Sequence, residues 1–295
     1  MTPLDYDYLR KLVKERSGLV LSADKEYLVE SRLLPIARKQ GLTNLTELVQ
    51  KLKAPGAESL VVDVVEAMTT NETFFLRDKV PFEHFRQSMI PSLLKSRASR
   101  RRIRIWCAAA STGQEPYSLA MIWKEMATQV AGWQIEIIGT DLSMEVLEKA
   151  KVGIYSQFEV QRGLPIHLLV KFFSKEGEAW QIAPELRGMV QFRPLNLLHD
   201  FSPLGTFDVV FCRNVLIYFD QATKVDVLER IAGVIERDGY LVLGGAETVV
   251  GLTDRFRPVA DRRGLYAPQA AGPPAESNVV SLAASTSAAM AGARN

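Results

Sequence analysis

The sequence has 295 residues, of which 47% are hydrophobic and 24% are charged, and its formal net charge at pH 7 is +2. A chain of this size can bury a full core and exceeds one average domain, so we expect one large domain and a smaller one. Because no run approaches the roughly 20 apolar residues of a membrane span and the first residues form no apolar signal core, we expect a cytoplasmic protein without membrane insertion.

Residues 1–70 have a helical pattern. Apolar residues recur at helix spacing, first at Leu4, Tyr8, Leu9 and Leu12, and the breaks between such stretches read SGLVLS, GLTN and APGAES. Breaks rich in glycine, proline and small polar residues separate helices. The sequence therefore predicts a small all-α N-terminal domain without a strand.

The pattern changes at Ile103, where apolar runs begin to alternate with amphipathic stretches. The runs read IRIWC, IEIIGTDL, VQFRPLNLL, FDVVFCRN and YLVLGG. Such alternation predicts an α/β domain with a parallel sheet and helices on both faces. Between Ala150 and Gln191 the alternation lapses, and WQIAPELRGMVQF predicts a small antiparallel β-subdomain at about 155–191.

The last part of the chain predicts a closing hairpin and then a disordered tail. The stretch FRPVADRRGLYAP fits two short antiparallel strands, which would end the domain 71–268. Residues 269–295 are mostly small, with almost no charged or aromatic side chains. Such a composition cannot bury enough surface to fold, so we expect this tail to be disordered.

Three groups of residues bear on other functions. Cys107 and Cys212 each end an apolar run and are expected to be buried, reduced thiols. The three histidines are scattered without the spacing of a metal site, so no metal is expected. The basic run KSRASRRRIR, residues 95–104, is either a nucleic-acid patch or a solvated helix end and loop. Since it lacks interleaved aromatic residues, we favour the solvated surface and expect no nucleic-acid partner.

A tight turn is predicted after the first strand. The stretch IWCAAASTGQEPYSL, residues 105–119, has the pattern of a strand, a turn and a helix N-terminus in a dinucleotide fold. Of the glycines in a pyrophosphate loop only Gly113 is present, and Glu115 would place a negative charge against a phosphate. An adenosyl ligand that carries positive charge and no phosphate fits better, and S-adenosylmethionine is such a ligand.

Candidate ligand contacts follow the apolar runs, because ligands bind at the carboxyl ends of strands in an open α/β sheet. Asp141 ends the second run and is suited to accept hydrogen bonds from both hydroxyls of a ribose. It could equally be the N-cap of the helix SMEVLEKA. The further candidates are Ala109 to Glu115 after the first run, Asn196 and Leu197 after the third, and Arg213 and Asn214 after the fourth.

Five motifs stand at these positions and just before them. They are NETFFLRD at 71–78, AAASTGQEPYSLA at 108–120, GTDLS at 139–143, NLL at 196–198 and FCRNVLIYFD at 211–220. Together they resemble the chemotaxis receptor methyltransferases of the CheR type, over about residues 1–268. The resemblance implies a helical N-terminal domain followed by a Rossmann-like class I methyltransferase domain that carries a small antiparallel β-subdomain.

The resemblance also implies an activity. CheR-type enzymes transfer a methyl group from S-adenosylmethionine to glutamate side chains on the cytoplasmic helices of chemoreceptors. The products are glutamate methyl esters and S-adenosylhomocysteine, and the modification serves chemotaxis adaptation. Two other functions stay open, a methyltransferase acting on a small acid or a nucleic acid, and a cofactor-binding sensor that does not catalyse. The presence of both Arg77 and Tyr218 favours an enzyme.

The resemblance assigns site residues as well. The implied cofactor site is lined by Asn71, Thr73, Arg77, Glu115, Asp141, Asn196, Leu197, Arg213 and Asn214, with Ala109 and Gly113 of the turn beside them. Arg77 and Tyr218 would lie nearest the transferred methyl group. As alternatives, Arg77 pairs with Asp78 on the surface, and Tyr218 is a core residue of VLIYF. Leu76 stands where the family has phenylalanine, a change of similar volume.

Receptor docking is expected to involve the N-terminal domain. Some members of the family bind a short peptide at the receptor's C-terminus through the β-subdomain, and those members have a longer, glycine-bearing loop there. Here the stretch KFFSKEGEAWQI, residues 171–182, is compact, so we expect docking without this tether. The expected partner is the cytoplasmic domain of a methyl-accepting chemoreceptor, bound by a monomer. Arg32, Arg38 and Lys39 are the candidate contacts with acidic receptor helices, or they are part of a solvated helix face.

Overall fold

Four helices form the N-terminal region of the protein, whose computed structural model describes residues 1–269. They are α1 Pro3–Ser17, α2 Glu26–Lys39, α3 Leu45–Leu52 and α4 Glu58–Met68. Thr2 starts α1 with a reciprocal cap, because its hydroxyl accepts from the Asp5 N–H and its own N–H donates to the Asp5 carboxylate. Leu9, Leu33 and Val64 are fully buried in the core of this bundle. The all-α prediction for this region is confirmed.

Ten strands in two sheets follow. They are β1 Arg102–Ala108, β2 Gln134–Asp141, β3 Ile154–Ser156, β4 Phe173–Glu176, β5 Ala179–Ile182, β6 Val190–Pro194, β7 Phe207–Cys212, β8 Ile235–Leu243, β9 Phe256–Pro258 and β10 Leu265–Pro268. The larger sheet has the order β6-β2-β1-β7-β8-β10-β9. Its first five strands pair in parallel, and β9 and β10 form the antiparallel closing hairpin. Both features were predicted from the sequence.

The helices that follow the N-terminal region cover both faces of this sheet. They are α5 Val80–His84, α6 Ile90–Ser96, α7 Gln114–Glu125, α8 Met144–Val152, α9 Gln157–Gln161, α10 Ile166–Phe172, α11 Pro184–Arg187 and α12 Gln221–Val234, with a π-helical segment Phe85–Met89 joining α5 to α6. Two of these helices, α9 and α10, pack against the other sheet. Adjacent residues of β1 point to opposite faces. Ile105 therefore packs in one core cluster with Tyr117 of α7, and Trp106 packs in the other with Leu228 of α12.

The smaller sheet has three antiparallel strands in the order β3-β5-β4. Glu176 pairs with Ala179, so β4 and β5 are joined by a two-residue turn in which Gly177 has a φ of 60°. The predicted antiparallel subdomain is present, but it ends at β5. The predicted antiparallel pairing of WQIAPELRGMVQF is wrong, because its second half forms β6 and joins the parallel sheet beside β2.

The basic run at residues 95–104 is largely paired with carboxylates at the amino end of the larger sheet. The Arg97 side chain is 8% exposed, and its Nε donates to Asp208 Oδ1 at 2.6 Å while its other nitrogens contact Asp238. Arg100 Nη2 lies 2.6 Å from Asp208 Oδ1, and Arg104 Nε lies 2.8 Å from Glu136. The interpretation of this run as a solvated surface is therefore wrong for Arg97. The same pairing also disfavours the nucleic-acid patch.

Three further predictions concern the cysteines, the membrane and the tail. Cys107 and Cys212 are buried free thiols, as predicted. No helix in residues 1–269 is long and apolar enough to cross a membrane. Apart from Gln269, the tail predicted to be disordered lies outside the described residues.

Candidate active site

A pocket opens at the carboxyl ends of β1, β2, β6 and β7, where the linker after α4 and the end of α1 also reach. Its free space, including the open mouth, is about 960 Å³, which is in the range of clefts that hold cofactor-sized ligands. The predicted residues that line it are Asn71, Thr73, Arg77, Ala109, Glu115, Asp141, Asn196, Leu197, Arg213, Asn214 and Tyr218. The fold thus brings together side chains from motifs as much as 147 positions apart in the sequence.

Asp141 stands on the pocket wall at the end of β2. Its Oδ2 accepts from the Ser111 N–H at 2.8 Å and its Oδ1 accepts from the Ser143 N–H at 3.1 Å. Ser143, rather than Asp141, caps α8, because the Ser143 hydroxyl accepts from the Val146 N–H. The N-cap alternative is therefore wrong. Burial raises the pKa of the Asp141 carboxyl, and the hydrogen bonds from Ser143 and Ser111 oppose that rise.

Arg213 is the most deeply buried charge in the pocket, with a side chain that is 2% exposed. Its Nη1 lies 2.7 Å from Glu115 Oε2, and its Nη2 lies 2.7 Å from Asp78 Oδ2 and 2.9 Å from the Arg77 carbonyl. The surface ion pair suggested between Arg77 and Asp78 is therefore wrong, since Asp78 pairs with Arg213. Burial raises the pKa of Glu115, and the neighbouring guanidinium lowers it. The negative charge of Glu115 is thus paired with Arg213 inside the protein, which the sequence did not indicate.

The segment carrying Arg77 is fixed at several points. The Leu76 N–H donates to Ser118 Oγ at 3.0 Å, and the Asn71 carbonyl accepts from Ser111 Oγ at 2.8 Å. The Arg77 guanidinium donates through Nη1 to the Glu72 carbonyl at 2.7 Å, within its own loop. The remaining guanidinium nitrogens of Arg77 are free to meet a ligand, because no other hydrogen bond from this side chain forms within residues 1–269.

Tyr218 lies in a short 3₁₀ turn, Leu216–Tyr218, and lines the pocket. Its ring is partly buried and contacts the core clusters of both the N-terminal bundle and the sheet. Its carbonyl accepts from the Val20 N–H of the N-terminal domain at 2.9 Å. Because Tyr218 borders the pocket, it is not simply the core residue of the alternative interpretation. Asn214, at the start of this loop, has a φ of 58°, a left-handed conformation that asparagine tolerates better than most residues.

Asn196 and Leu197 follow β6, and Asn196 also contacts the N-terminal domain. Asn196 Nδ2 donates to the Arg16 carbonyl at the end of α1, at 2.6 Å. Its Oδ1 accepts from the Leu198 N–H at 3.0 Å. The Asn196 side chain therefore contacts the N-terminal domain as well as the pocket. Leu197 is buried and supplies apolar surface to the wall.

Gly113 does not border the pocket, although it was predicted to contact the cofactor. Its φ is 93°, and a Cβ at this position would lie 3.0 Å from the Ala150 Cβ and 3.1 Å from the Phe192 ring. The glycine is required because α7 starts here, close to α8 and β6. The packing of the turn therefore accounts for a glycine at this position.

Arg32 is also placed differently from the expectation. Its Nη1 donates to the carbonyls of Met68 and Thr69 at 2.7 and 2.8 Å, and its Nη2 donates to Thr70 Oγ1 at 3.1 Å. It therefore fastens α2 to the linker and has few donors left for a receptor. Arg38 and Lys39, at the end of α2, are exposed.

Sequence reasoning missed the contribution of the N-terminal domain to this pocket. Ser17 and Leu19 border it, together with Thr69 and Thr70 of the linker. Gly18 between them has a φ of 78°, and a Cβ there would lie 3.0 Å from the Phe219 ring. The break SGLVLS was interpreted only as a helix end. The sequence signal for this contact was a glycine followed by apolar residues at the break.

Comparison with known proteins identifies the family. Residues 4–69 match the family model "CheR methyltransferase, all-alpha domain", and residues 71–265 match "CheR methyltransferase, SAM binding domain". The chain belongs to the CheR methyltransferase family. It is 42% identical over 267 residues to "Chemotaxis protein methyltransferase 1" of Pseudomonas aeruginosa, covering 88% of this chain and 96% of that protein. It is 40% identical over 266 residues to "Chemotaxis protein methyltransferase Cher2" of Pseudomonas putida, covering 89% and 96%.

Membership of this family makes the chain an S-adenosylmethionine-dependent methyltransferase, and the pocket of this CheR-family protein fits that cofactor. A carboxylate has about four lone-pair positions, and backbone N–H groups occupy only part of those of Asp141. Small side chains at Ala109 and Ala110 leave the backbone open to an adenosyl group. Arg213 Nε is buried without a hydrogen-bond partner among the described residues, so this N–H donor still lacks an acceptor.

Proposed function

We propose that this protein transfers the methyl group of S-adenosylmethionine to glutamate side chains on the cytoplasmic helices of chemoreceptors, as part of chemotaxis adaptation. The products would be glutamate methyl esters and S-adenosylhomocysteine. The observation that carries the proposal is the convergence of Arg77, Asp141 and Tyr218 on one pocket. The names of the relatives support it further. Residues 71–268 would form the catalytic domain and residues 1–70 the docking domain.

The chemistry needs no general base in the protein, because a glutamate carboxylate is already ionised at neutral pH. The bound cofactor supplies an electrophilic methyl group on a sulfonium. What the chain must provide is alignment of the acceptor oxygen, and such positioning can lower a barrier by about 7 to 11 kcal/mol. Arg77 is suited to hold one oxygen of the substrate carboxylate and leave the other free.

Each remaining pocket residue has a separate task in this proposal. Asp141 would accept hydrogen bonds from the ribose hydroxyls, next to its contacts with the turn after β1. Tyr218 would donate a hydrogen bond or present its ring to positive charge near the reacting carbon. Arg213 would act through Arg77, because it holds the Arg77 carbonyl and Asp78 in place.

For the receptor we propose docking without a peptide tether. The β4–β5 turn has two residues, so the small sheet has no extended loop to enclose an added strand. Arg38 and Lys39 are exposed and are suited to meet acidic receptor helices. Arg32 is omitted from this surface, since its guanidinium is bonded to the linker. We further propose that the protein acts in the cytoplasm as a monomer.

The test of the reaction is transfer of labelled methyl from S-adenosylmethionine to membranes rich in the native chemoreceptor. Glutamate methyl esters release the label as methanol in base, whereas methylated nitrogen retains it. We expect base-labile label on the receptor and none when its methylation-region glutamates are replaced by alanine. Label found only on a small acid or nucleic acid, or no transfer despite cofactor binding, would contradict the proposal.

The tether is tested separately by titration with two receptor fragments. Tether-independent docking predicts measurable binding to the helical methylation region and none to the isolated C-terminal peptide. Tight binding of the peptide would overturn this part of the proposal without affecting the reaction.

A further inference from the structure

The loop that carries Asn214 and Tyr218 is held by a carboxylate that neither the motifs nor the pocket lining identified. Glu247 follows β8, and its Oε2 accepts from the N–H groups of Asn214 and Gly244 at 2.8 and 2.7 Å. Its Oε1 accepts from the N–H groups of Val215 and Ile217 at 3.0 and 3.3 Å. One side chain thus satisfies four backbone donors.

These four donors have no strand partner to bond with. Strand β7 ends at Cys212, and Asn214 already has a left-handed backbone at a φ of 58°. A strained segment persists only where its surroundings determine its conformation. An anion against successive N–H groups is a recurrent way of doing so. Glu247 therefore fixes the beginning of the loop, and the Val20 N–H fixes its end at the Tyr218 carbonyl.

Gly244 supports the same arrangement by leaving room for it. A Cβ on Gly244 would lie 2.7 Å from Glu247 Oε2, 2.9 Å from Asn214 Nδ2 and 3.0 Å from the Asn214 nitrogen. These distances are shorter than atoms in contact allow, so a methyl group would displace the carboxylate. The next residue, Gly245, is exposed, and apart from its chain neighbours no atom lies within 4 Å of the position that a Cβ would take there, so it offers a matched control.

We propose that Glu247 is a positioning residue for methyl transfer, which acts by holding residues 214–217 so that Asn214 and Tyr218 face the pocket. The inference rests on the proposed role of Tyr218 at the reacting carbon. It does not depend on which molecule accepts the methyl group. Glu247 itself is outside the pocket lining, so its effect on the reaction passes through the loop.

The first experiment measures hydrogen exchange of the ligand-free protein and of Glu247→Gln. We expect faster exchange of the amides at 214, 215 and 217, because the neutral amide has one acceptor oxygen and turns an NH₂ group toward N–H donors. Exchange in β7, residues 207–212, should not change. Unchanged exchange at 214–217, or uniformly faster exchange throughout the chain, would overturn the proposal.

The second experiment compares methyl transfer with binding of S-adenosylhomocysteine. Loss of hydrogen bonds to a charged group predicts a turnover about 10- to 100-fold lower in Glu247→Gln, with a smaller loss of affinity. Combined with Tyr218→Phe, the two losses should be less than additive, because Glu247→Gln displaces the same hydroxyl that Tyr218→Phe removes. Equal losses of turnover and affinity, or full additivity, would contradict the inference.

Gly244→Ala provides an independent variant that keeps the carboxylate. It should reproduce the faster exchange at 214–217 and the lower turnover, while Gly245→Ala should behave as wild type in both measurements. If the two alanine variants behave alike, the proposal fails. Exchange and product binding need no receptor, so a failure of this inference can be told apart from a wrong methyl acceptor.

Discussion

The two ends of the central sheet are both rich in charged side chains, but they use them differently. At the amino end Arg97 is bonded to Asp208 and Asp238, so its charge is fully matched. At the carboxyl end Arg213 is also buried and paired with two carboxylates, Glu115 and Asp78, but its Nε has no hydrogen-bond partner among residues 1–269. One end is therefore closed by its ion pairs. The other keeps polar groups available to a ligand.

The pKa directions of the carboxyl groups follow this division. At the amino end, hydrogen bonds from Arg104 and Arg97 lower the pKa values of Glu136 and Asp238 respectively. At the carboxyl end, burial raises the pKa values of Glu115 and Asp141. Ionised groups stabilise the fold at the first end and oppose it at the second. The buried charges at the carboxyl end therefore lower the folding stability where a ligand binds, a trade-off common in active sites.

The backbone shows the same contrast. Among the described residues, six residues other than glycine in the loops at the pocket have positive φ angles, whereas Arg101 is the one example at the amino end. The six are Leu76, Asp78, Lys79, Ala109, Ser111 and Asn214. Such conformations are sparsely populated and cluster at functional sites. The loops at the carboxyl end therefore depend on side-chain hydrogen bonds. Examples are the bonds that the Glu247 carboxylate accepts and the bond that the Ser111 hydroxyl donates.

The largest expected effect comes from removing the ion pairs at the amino end of the central sheet. Asp208 is 1% exposed and accepts from Arg97, Arg100 and the Arg104 N–H. Asp208→Ala should lower the free energy of unfolding by about 3 to 5 kcal/mol, since it leaves buried charge without a partner. Denaturant unfolding measures this, and turnover per folded molecule should not change.

The control is Asp238→Ala, which removes a carboxylate from the same arginine. Asp238 is 54% exposed, so we expect a loss of at most about 1 kcal/mol. Equal losses in the two variants, or a turnover defect in folded Asp208→Ala, would mean that the two ends of the sheet are not as separate as the structure indicates.

These two ends also show what the sequence could and could not predict. Strands were predictable because long apolar runs indicate buried parallel strands. The position of Asp141 and Arg213 on the pocket wall was predictable too, because both lie at the carboxyl ends of such strands. Hydrogen-bond partners that are far apart in the sequence were not predictable. Arg97 and Asp208 are 111 positions apart, and no local pattern relates an arginine to a carboxylate on another strand.

The differences between the expected and the observed surroundings of these site residues have the same origin. Gly113 and Arg32 have the right residue type for their predicted roles, but packing and the linker determine what they contact. Ser17 and Leu19 were missed because the docking of one domain on another is not visible in either domain's periodicity. Glu247 follows the last parallel strand, where no recognised motif drew attention to it.

The second expected effect concerns Asp141 at the carboxyl end. Asp141→Ala removes a charged hydrogen-bond acceptor from the pocket, and such bonds contribute about 1.5 to 3 kcal/mol. The dissociation constant of S-adenosylhomocysteine should therefore rise about 10- to 100-fold or somewhat more. Calorimetric titration measures this affinity, and Asp238→Ala should bind as wild type. Unchanged affinity would remove Asp141 from the site.

The Asp141 carboxyl group should make the affinity for S-adenosylhomocysteine depend on pH, and this dependence distinguishes the two ends of the sheet. Binding needs ionised Asp141, and its pKa is raised, so affinity should begin to fall at a pH above about 3.9, the value of exposed aspartates. Glu136, whose pKa is lowered, stabilises the fold above its unfolded pKa and loses this effect only as the pH falls through its lower folded value. Affinity should therefore fall before stability does. Parallel titrations and unfolding curves at decreasing pH test this order, and the reverse order would contradict it.

A smaller effect is expected when only the hydroxyl of Tyr218 is removed. One neutral hydrogen bond contributes about 0.5 to 1.5 kcal/mol, so Tyr218→Phe should lower turnover by roughly 3- to 10-fold. The affinity for S-adenosylhomocysteine should fall less, because the bond matters mainly in the transition state. Tyr240→Phe, on β8 outside the pocket, is the control. Equal losses in turnover and affinity would return Tyr218 to a purely structural role.

The smallest effects are expected on the docking surface, away from either end of the sheet. Arg38→Ala and Lys39→Ala should each lower kcat/KM for the receptor about two- to fivefold at low salt, as exposed charge pairs are weak. The effect should disappear at high salt, because ions screen charges separated by more than about 8 to 10 Å at moderate ionic strength. Arg237→Ala removes an exposed arginine from β8 and should have no effect at either salt concentration.

Arg32→Ala should differ from both docking variants, although Arg32 lies on the same helix. Its guanidinium holds the carbonyls of Met68 and Thr69, directly before the segment that contains Asn71 and Thr73. Its loss should therefore alter cofactor affinity and stability, and these changes should persist at high salt because the contacts are partly buried. A salt-dependent loss of kcat/KM alone would instead place Arg32 on the receptor surface. That result would extend the docking surface along α2 to the linker.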